Sequence, residues 1–314
     1  MQLNFEKWHG CQNDFIITQI QPSQKTMLIP SLQRQAAQLC SRNGDGIGAD
    51  GILVLSSDSQ KRHDETEMTI INRDGSLAAN CGNGLRCASG FLFRQKERSA
   101  QRAETEYTEI RVGPLHFSSQ ICSWDAQQQS ALICLTMPAP LLDQQCSWYQ
   151  EAETLVQRLR DHPGQPQISY REEHCCDSGN PHLVLLTEAP AAKNPHPGAD
   201  CQDFRGSDGL NVHLAWESPG NPQIIRHMER RLQGTVGEHY DARSWERGVG
   251  ESRACGSGAC AIAVSVLSAE LVSREEWIMI TMPGGPLLVQ QRDEGGAVLL
   301  AGDACFVFQG TVEI

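Results

Sequence analysis

Two distant stretches of this chain carry the same local pattern. In "INRDGSLAANCGNGLRCASGF" Asn72 lies nine residues before Cys81, and in "WERGVGESRACGSGACAIAV" Glu246 lies nine residues before Cys255. Both cysteines are followed by Gly-x-Gly and then by apolar residues at helical spacing. Upstream of each, an asparagine opens an apolar, strand-like run: Asn13 in "NDFII" after Gly10, and Asn180 in "NPHLVLL" after Gly179. A polar residue, a turn, a cysteine, a glycine pair and a helix recurring at equal offset mark a duplicated unit. The repeat restricts the chain to an α/β (α+β) fold of two similar, pseudo-symmetric halves, each bringing one cysteine to a cleft between them.

A length of 314 residues suits two such halves, since one hydrophobic core seldom organises so long a chain. The expected N-terminal half covers 1–127 and regains the last strand, 304–314; the expected C-terminal half covers 128–303. Alternating and β-branched runs predict strands at "LNFEKWHG" and "NDFIITQI" around a turn at Gly10, and at "GILVLSS" and "EMTIINRDG". "SLQRQAAQLCSRNG" predicts a helix capped by Ser31 and stopped at Asn43-Gly44. "ALICLTMPAP" predicts a strand at the entry to the second half, and "DQQCSWYQEAETLVQRLRDHPGQPQ" an insertion or solvated helix with little chemistry. Further strands are expected at "HLVLL", "GLNVHLAW", "QIIRHMERR", "WIMITMPGGPLLVQ", "AVLLAG" and "CFVFQGTVEI".

The formal charge of −12 argues against nucleic acid and anionic membranes as partners, because both demand a cationic footprint. No apolar run is long enough to span a bilayer, and "MQLNFEKWHG" has no apolar signal core. A cytoplasmic protein is expected. The chain has 13 cysteines, an odd number, and no export signal, so most are expected as reduced thiols. No Cys-x-x-Cys pair occurs, which leaves no metal site in prospect.

A cysteine at a helix N-terminus sits beside unpaired backbone N–H groups and the positive end of the helix dipole, which favour its thiolate. Glycines at 82, 84, 256 and 258 let the backbone approach a ligand closely. "CGNG" and "CGSG" therefore each offer a base and an anion cradle. Nucleophilic catalysis needs one thiol with a histidine base, so a second equivalent thiol would be redundant. Proton transfer on opposite faces of one carbon needs two equivalent groups. The pair therefore points to racemisation or epimerisation, with one thiolate removing a Cα proton and one thiol returning another. Pyridoxal phosphate would require a Schiff-base lysine, yet Lys7, Lys25, Lys61, Lys96 and Lys193 all lie outside glycine-rich phosphate contexts. No cofactor is expected. The carbanion is to be stabilised by N–H groups around the substrate carboxylate, away from water.

The ordered set "KWHGCQNDFII", "GIGADGILVL", "INRDGS", "NCGNGLRC", "GNPHLV", "WERGVGES", "ACGSGACA" and "MPGGPL" resembles the diaminopimelate epimerase family from about Phe5 to the C-terminus. The resemblance implies cofactor-independent interconversion of LL- and meso-2,6-diaminopimelate by a homodimer, in lysine and, in bacteria, peptidoglycan precursor synthesis. Matched position by position, it implies Cys81 and Cys255 as the acid–base pair, with Gly82-Asn83 and Gly256-Ser257 as their cradles. It implies Asn13, Asn72, Asn180, Asn211 and Arg247 as substrate ligands, Gly51 as a wall, and His182 and Glu246 as polar groups that assist the cysteines, Glu246 also bordering the substrate. Arg247 suits a bidentate partner for the distal carboxylate. Gln12 stands where the family usually has glycine. Two alternatives stay open on sequence alone: a racemase of another amino acid on the same scaffold, and a binding protein that has lost catalysis.

Overall fold

The computed structural model describes residues 1–44, 46–57, 66–98, 107–161, 170–188, 209–246 and 250–314. The chain forms two compact units, 1–136 together with 301–314, and 137–300.

The first unit comprises β1 (Gln2–Gly10), β2 (Asn13–Ile20), α1 (Lys25–Leu39), β3 (Gly51–Ser56), β4 (Thr66–Asn72), β5 (Leu77–Ala78), α2 (Gly82–Arg98), β6 (Tyr107–Val112), β7 (Leu115–Asp125) and β8 (Ser130–Met137). β1 pairs antiparallel with β2, β2 parallel with β3, β3 antiparallel with β4, β4 parallel with β6, and β6 antiparallel with β7. β7 continues antiparallel to β8. The last strand of the chain pairs with both β1 and β8, which closes the sheet on itself. α2 packs inside, with Leu85, Cys87, Ala88, Phe91 and Leu92 all buried.

The second unit holds β9 (Leu141–Leu142), α3 (Tyr149–Asp161), β10 (Tyr170–Asp177), β11 (Pro181–Thr187), β12 (Asn211–Glu217), α4 (Pro222–Leu232), β13 (Val236–Glu246), β14 (Gly250–Ser252), α5 (Gly256–Ser268), β15 (Trp277–Met282) and β16 (Gly285–Gln290). The strand that returns to the first unit is β17 (Val298–Glu313). The order of pairing repeats that of the first unit: β10–β11 antiparallel, β11–β12 parallel, β12–β13 antiparallel, β13–β15 parallel and β15–β16 antiparallel. α5 packs against β10, β11, β12, β15 and β16 and is buried from Ala259 to Leu267.

Three readings of local sequence change in the structure. α1 starts at Lys25, not after Ser31, and runs through Pro30. Leu28, Leu32, Ala36 and Leu39 bury one stripe of it, and that burial outweighs the hydrogen bond lost at the proline. "QIIRHMERR" lies in α4, not in a strand. Asn221 caps it by accepting from the Gln223 amide at 2.9 Å, Pro222 occupies the first turn, and only Met228 is buried. The 143–167 segment is more than a solvated insertion. Where it is described, Cys146, Trp148, Ala152 and Val156 join the core formed by Leu183, Leu185, Val212 and Leu214.

Candidate functional site

Within each unit the repeated topology gathers the sequence-singled residues at one end of the sheet. β2 and β3 are parallel and begin there; β4 is antiparallel to them and ends there, and α2 starts just beyond. Asn13 opens β2, Gly51 opens β3 and pairs in register with Asn72 at the end of β4. In the second unit Asn180 precedes β11, Asn211 opens β12 in register with His182, and Glu246 ends β13. The equal nine-residue offset thus reflects one chain path used twice: end of strand, short hairpin, cysteine, helix.

In the first unit Cys81 is partly exposed and stands at the N-terminus of α2. The Gly84 amide donates to its Sγ at 3.3 Å, and the Leu85 amide to its carbonyl at 2.8 Å. A β-carbon on Gly84 would lie 3.3 Å from Leu53, a tight contact, and 3.5 Å from that sulfur. Asn83 is buried; its Nδ2 donates to Asn13 Oδ1 at 3.2 Å, and its own Oδ1 accepts from Arg86 at 2.6 Å. Asn13 in turn donates to Asp50 at 2.8 Å. Lys7 and Arg42 pair with Asp14, and Arg42 also with Asp50 at 2.7 Å. Burial alone would raise the Asp14 carboxyl, but hydrogen bonds and charge from Arg42 and Lys7 outweigh it and hold the group at about 2. Asn72 donates to Ser76 Oγ at 2.9 Å across the turn that follows β4. A β-carbon on Gly51 would meet the Ile71 carbonyl at 2.8 Å, so β3 and β4 meet too closely there for a side chain.

In the second unit Cys255 is buried and is the N-cap of α5; its Sγ accepts from the Gly258 amide at 3.3 Å, the same bond as at Cys81. The thiol donates to Glu246 Oε2 at 3.2 Å, and Ser257 Oγ lies 3.6 Å from the sulfur. Burial, followed by the Glu246 charge, pushes the Cys255 thiol well above its ordinary range, so it carries its proton at neutral pH. Burial also raises the Glu246 carboxyl. Gly256 and Gly258 are buried in the first turn of α5. Asn180 follows Gly179, whose φ of 91° turns the chain into β11. Asn211 is buried and donates to the Pro181 carbonyl at 3.1 Å. Arg247 lies outside the described residues.

The sequence reading missed several residues that support this arrangement. Lys7, Arg42, Asp14 and Asp50 back Asn13 in the first unit. In the second, His182 Nδ1 lies 2.8 Å from His213 Nε2, and His213 Nδ1 lies 2.7 Å from Ser244 Oγ. A period of two would have found both: His213 stands two residues past Asn211 on β12, and Ser244 two before Glu246 on β13, each on its partner's face. Trp148 donates to Asp177 at 3.1 Å, and Asp177 accepts from the Gly179 amide at 2.9 Å, which braces the turn carrying Asn180. Among the described residues no group of three or more His, Cys, Asp or Glu is placed to hold a metal ion, and no helix is long and apolar enough to cross a membrane.

The sequence model of the diaminopimelate epimerase family matches residues 5–112 and 174–307, leaving out 113–173. A diaminopimelate epimerase of Ectopseudomonas mendocina is 30% identical over 100% of both chains, and one of Nostoc punctiforme 30% identical over 99% of both. Among solved structures, a Bacillus anthracis phenazine biosynthesis protein of the PhzF family superposes with a TM-score of 0.68 at 14% identity over 100% of both chains. A probable proline racemase of Agrobacterium radiobacter, solved with bound carbonate, superposes with a TM-score of 0.61 at 10% identity, covering 99% of this chain and 93% of that one. These two establish likeness of fold. The family match over both units, together with full-length relatives at this identity, places the chain in the diaminopimelate epimerase family.

Proposed function

We infer that this chain interconverts LL- and meso-2,6-diaminopimelate without a cofactor, using Cys81 and Cys255 as base and acid. The observation that carries this is the matched pair of caps. Each sulfur sits at the start of an enclosed helix, held by an N–H donor at 3.3 Å from the third residue beyond it. An N–H aimed at sulfur stabilises thiolate, the form each cysteine must take once per turnover.

With Cys255 protonated at rest, Cys81 is the group left to act as base. Its thiolate takes the Cα proton and becomes a thiol; the electron pair left on carbon then takes the Cys255 proton on the opposite face, leaving Cys255 as thiolate. Atoms and charge balance, and the two cysteines end with exchanged protonation states. Resetting the pair gives the proton on Cys81 to solvent and takes one from solvent to Cys255, and Glu246, which accepts from the Cys255 thiol at 3.2 Å, is placed to pass that proton on. Backbone N–H groups at Gly82-Asn83 and Gly256-Ser257 suit the substrate carboxylate as negative charge grows beside it.

The same reading takes Asn13, Asn72, Asn180, Asn211 and Arg247 as substrate ligands, Gly51 as part of the wall and His182 as an assisting group. It also carries a homodimer, a cytoplasmic location and a role in lysine and peptidoglycan precursor supply. Incubation of LL-diaminopimelate with the protein in deuterium oxide tests it. The expected result is meso product with deuterium at one Cα, while substrate recovered early stays unlabelled. Absence of product, or equal early labelling of substrate and product, refutes the two-base reading.

A further inference from the structure

Behind Asn180 runs a buried chain of hydrogen bonds that ends at Ser244, beside the start of the Cys255 helix. His182 Nε2 lies 3.1 Å from Asn180 Oδ1, His182 Nδ1 2.8 Å from His213 Nε2, and His213 Nδ1 2.7 Å from Ser244 Oγ. Ser244 Oγ stands 3.7 Å from Met282 Sδ, which accepts the Cys255 backbone N–H at 3.2 Å. His182, His213 and Ser244 have no exposed surface, and the two rings stack with centroids 5.0 Å apart. The His213 ring also lies against the first turn of α5: a β-carbon on Gly258 would fall 2.3 Å from its Cε1. One side chain therefore touches both the support of Asn180 and the helix that Cys255 caps.

The direction of this chain follows from the chemistry of its end. An amide oxygen only accepts, so His182 Nε2 carries the hydrogen and donates to Asn180. In a neutral ring Nδ1 is then an acceptor, so His213 Nε2–H donates to it, and His213 Nδ1 accepts from the Ser244 hydroxyl. Burial keeps both rings neutral, lowering His182 to about 4 and His213 well below its ordinary range. The charged group acting on His182 is Asp177, and the group acting on His213 is His182 itself. With Oδ1 held from behind, Asn180 turns its Nδ2 outward. That donor has no partner among the described residues, and Asn180 is partly exposed.

We propose that His213 is a positioning residue of the epimerase: through His182 it fixes the orientation of the Asn180 amide, so that an N–H donor meets an oxygen acceptor of the substrate. The assignment of that acceptor to diaminopimelate rests on the function inferred above. The relay itself rests on the geometry alone. Reversing any one ring would set two N–H groups, or two bare nitrogens, against each other, so the chain works as a unit.

Two experiments on the full-length protein test it. Long-range proton–nitrogen correlation spectra of 15N-histidine-labelled native protein report ring tautomers directly. Both His182 and His213 are expected as Nε2–H tautomers that stay neutral from about pH 7.5 to about pH 5.5. An Nδ1–H tautomer at either ring, or titration of either near the ordinary histidine value, overturns the relay. In kinetics, His213→Phe keeps a ring against Gly258 and removes the donor to His182. KM for diaminopimelate is expected to rise about tenfold with kcat within about threefold, the effect of one lost buried hydrogen bond. His213→Gln, whose amide N–H reaches the place of the His213 Nε2–H, is expected to restore KM to within about threefold of native. A native KM in the Phe variant, or a Gln variant as impaired as Phe, overturns the positioning role. Failure of the native protein to turn over diaminopimelate refutes the epimerase reading and the reaction assigned to Asn180, while the tautomers still decide the relay.

Discussion

Cys11 and Gln12 hold left-handed backbone, with φ of 50° and 63°, in the two-residue turn between β1 and β2. Such turns favour asparagine and glycine, so the hairpin that sets Asn13 beside Asn83 forms against local preference. The two positions differ in burial: Gln12 is exposed, whereas Cys11 is buried near Arg86. At Gln12, glycine would relieve about 1–2 kcal/mol of left-handed strain and cost about 0.4–1 kcal/mol in unfolded-chain entropy. Gln12→Gly is therefore expected to stabilise the protein by up to about 1.5 kcal/mol. Cys11→Gly also vacates a buried volume and is expected to destabilise it. Urea midpoints at unchanged slope measure both, and a lower midpoint for Gln12→Gly would show that the side chain makes a compensating contact. Asp14 offers a second residue-scale test. Its folded carboxyl at about 2 lies below the ordinary 3.8, so its contribution is fully present above pH 3.8 and is lost as pH falls toward 2. The shift corresponds to roughly 2 kcal/mol. Asp14→Asn is expected to flatten the fall in unfolding free energy across that window, and an unchanged acid slope would place the titrating group elsewhere.

At the scale of elements, α3 bears on the site more than its composition suggests. It lies outside the span matched by the family, yet the indole that precedes it donates to Asp177 at 3.1 Å and so holds the turn before Asn180. Trp148→Phe keeps the ring in the core and removes that donor. We expect a loss of about 1 kcal/mol in stability together with a raised KM for diaminopimelate; a raised KM for Trp148→Phe at unchanged melting temperature would place the effect in the turn alone. Legibility varied among the elements for physical reasons. β2, β3, α2 and α5 could be read because their apolar periodicity is uninterrupted and their ends carry glycine or asparagine. α1 was placed seven residues late because Pro30 argues for an end where burial of Leu28 and Leu32 keeps the helix going. α4 looked like a strand because Ile224 and Ile225 stand together, although Asn221-Pro222 was a sound capping signal. The cysteines, glycines and asparagines of the candidate site were legible because close backbone approach and helix capping restrict residue type. His213, Ser244 and the Asp14 network were not, since their partners lie 7 to 41 residues away along the chain and meet only through strand pairing.

At the scale of the whole molecule, the duplicated path gives each unit one cysteine with the same cap but a different surrounding. Cys81 is partly exposed, while Cys255 is buried with a carboxylate on its thiol. A single base that swung across substrate would need only one of these sites; keeping both, each with its N–H on sulfur, fits a division of labour over two faces of one carbon. That reading has a redox consequence. Two sulfurs that serve one carbon must come within a few ångströms of it, so with substrate absent they are the pair best placed to oxidise. Diamide, which accepts two electrons and two protons, is expected to join Cys81 to Cys255 as both thiols lose hydrogen, to abolish turnover, and to be reversed by dithiothreitol. Saturating diaminopimelate is expected to protect, because on the two-base reading each cysteine faces the substrate and not the other cysteine. Peptide mapping without reduction identifies the bridge. Recovery of both cysteines as thiols from fully inactivated protein, or a bridge confined to another pair such as Cys146 and Cys175, would mean that the two sulfurs do not serve one carbon.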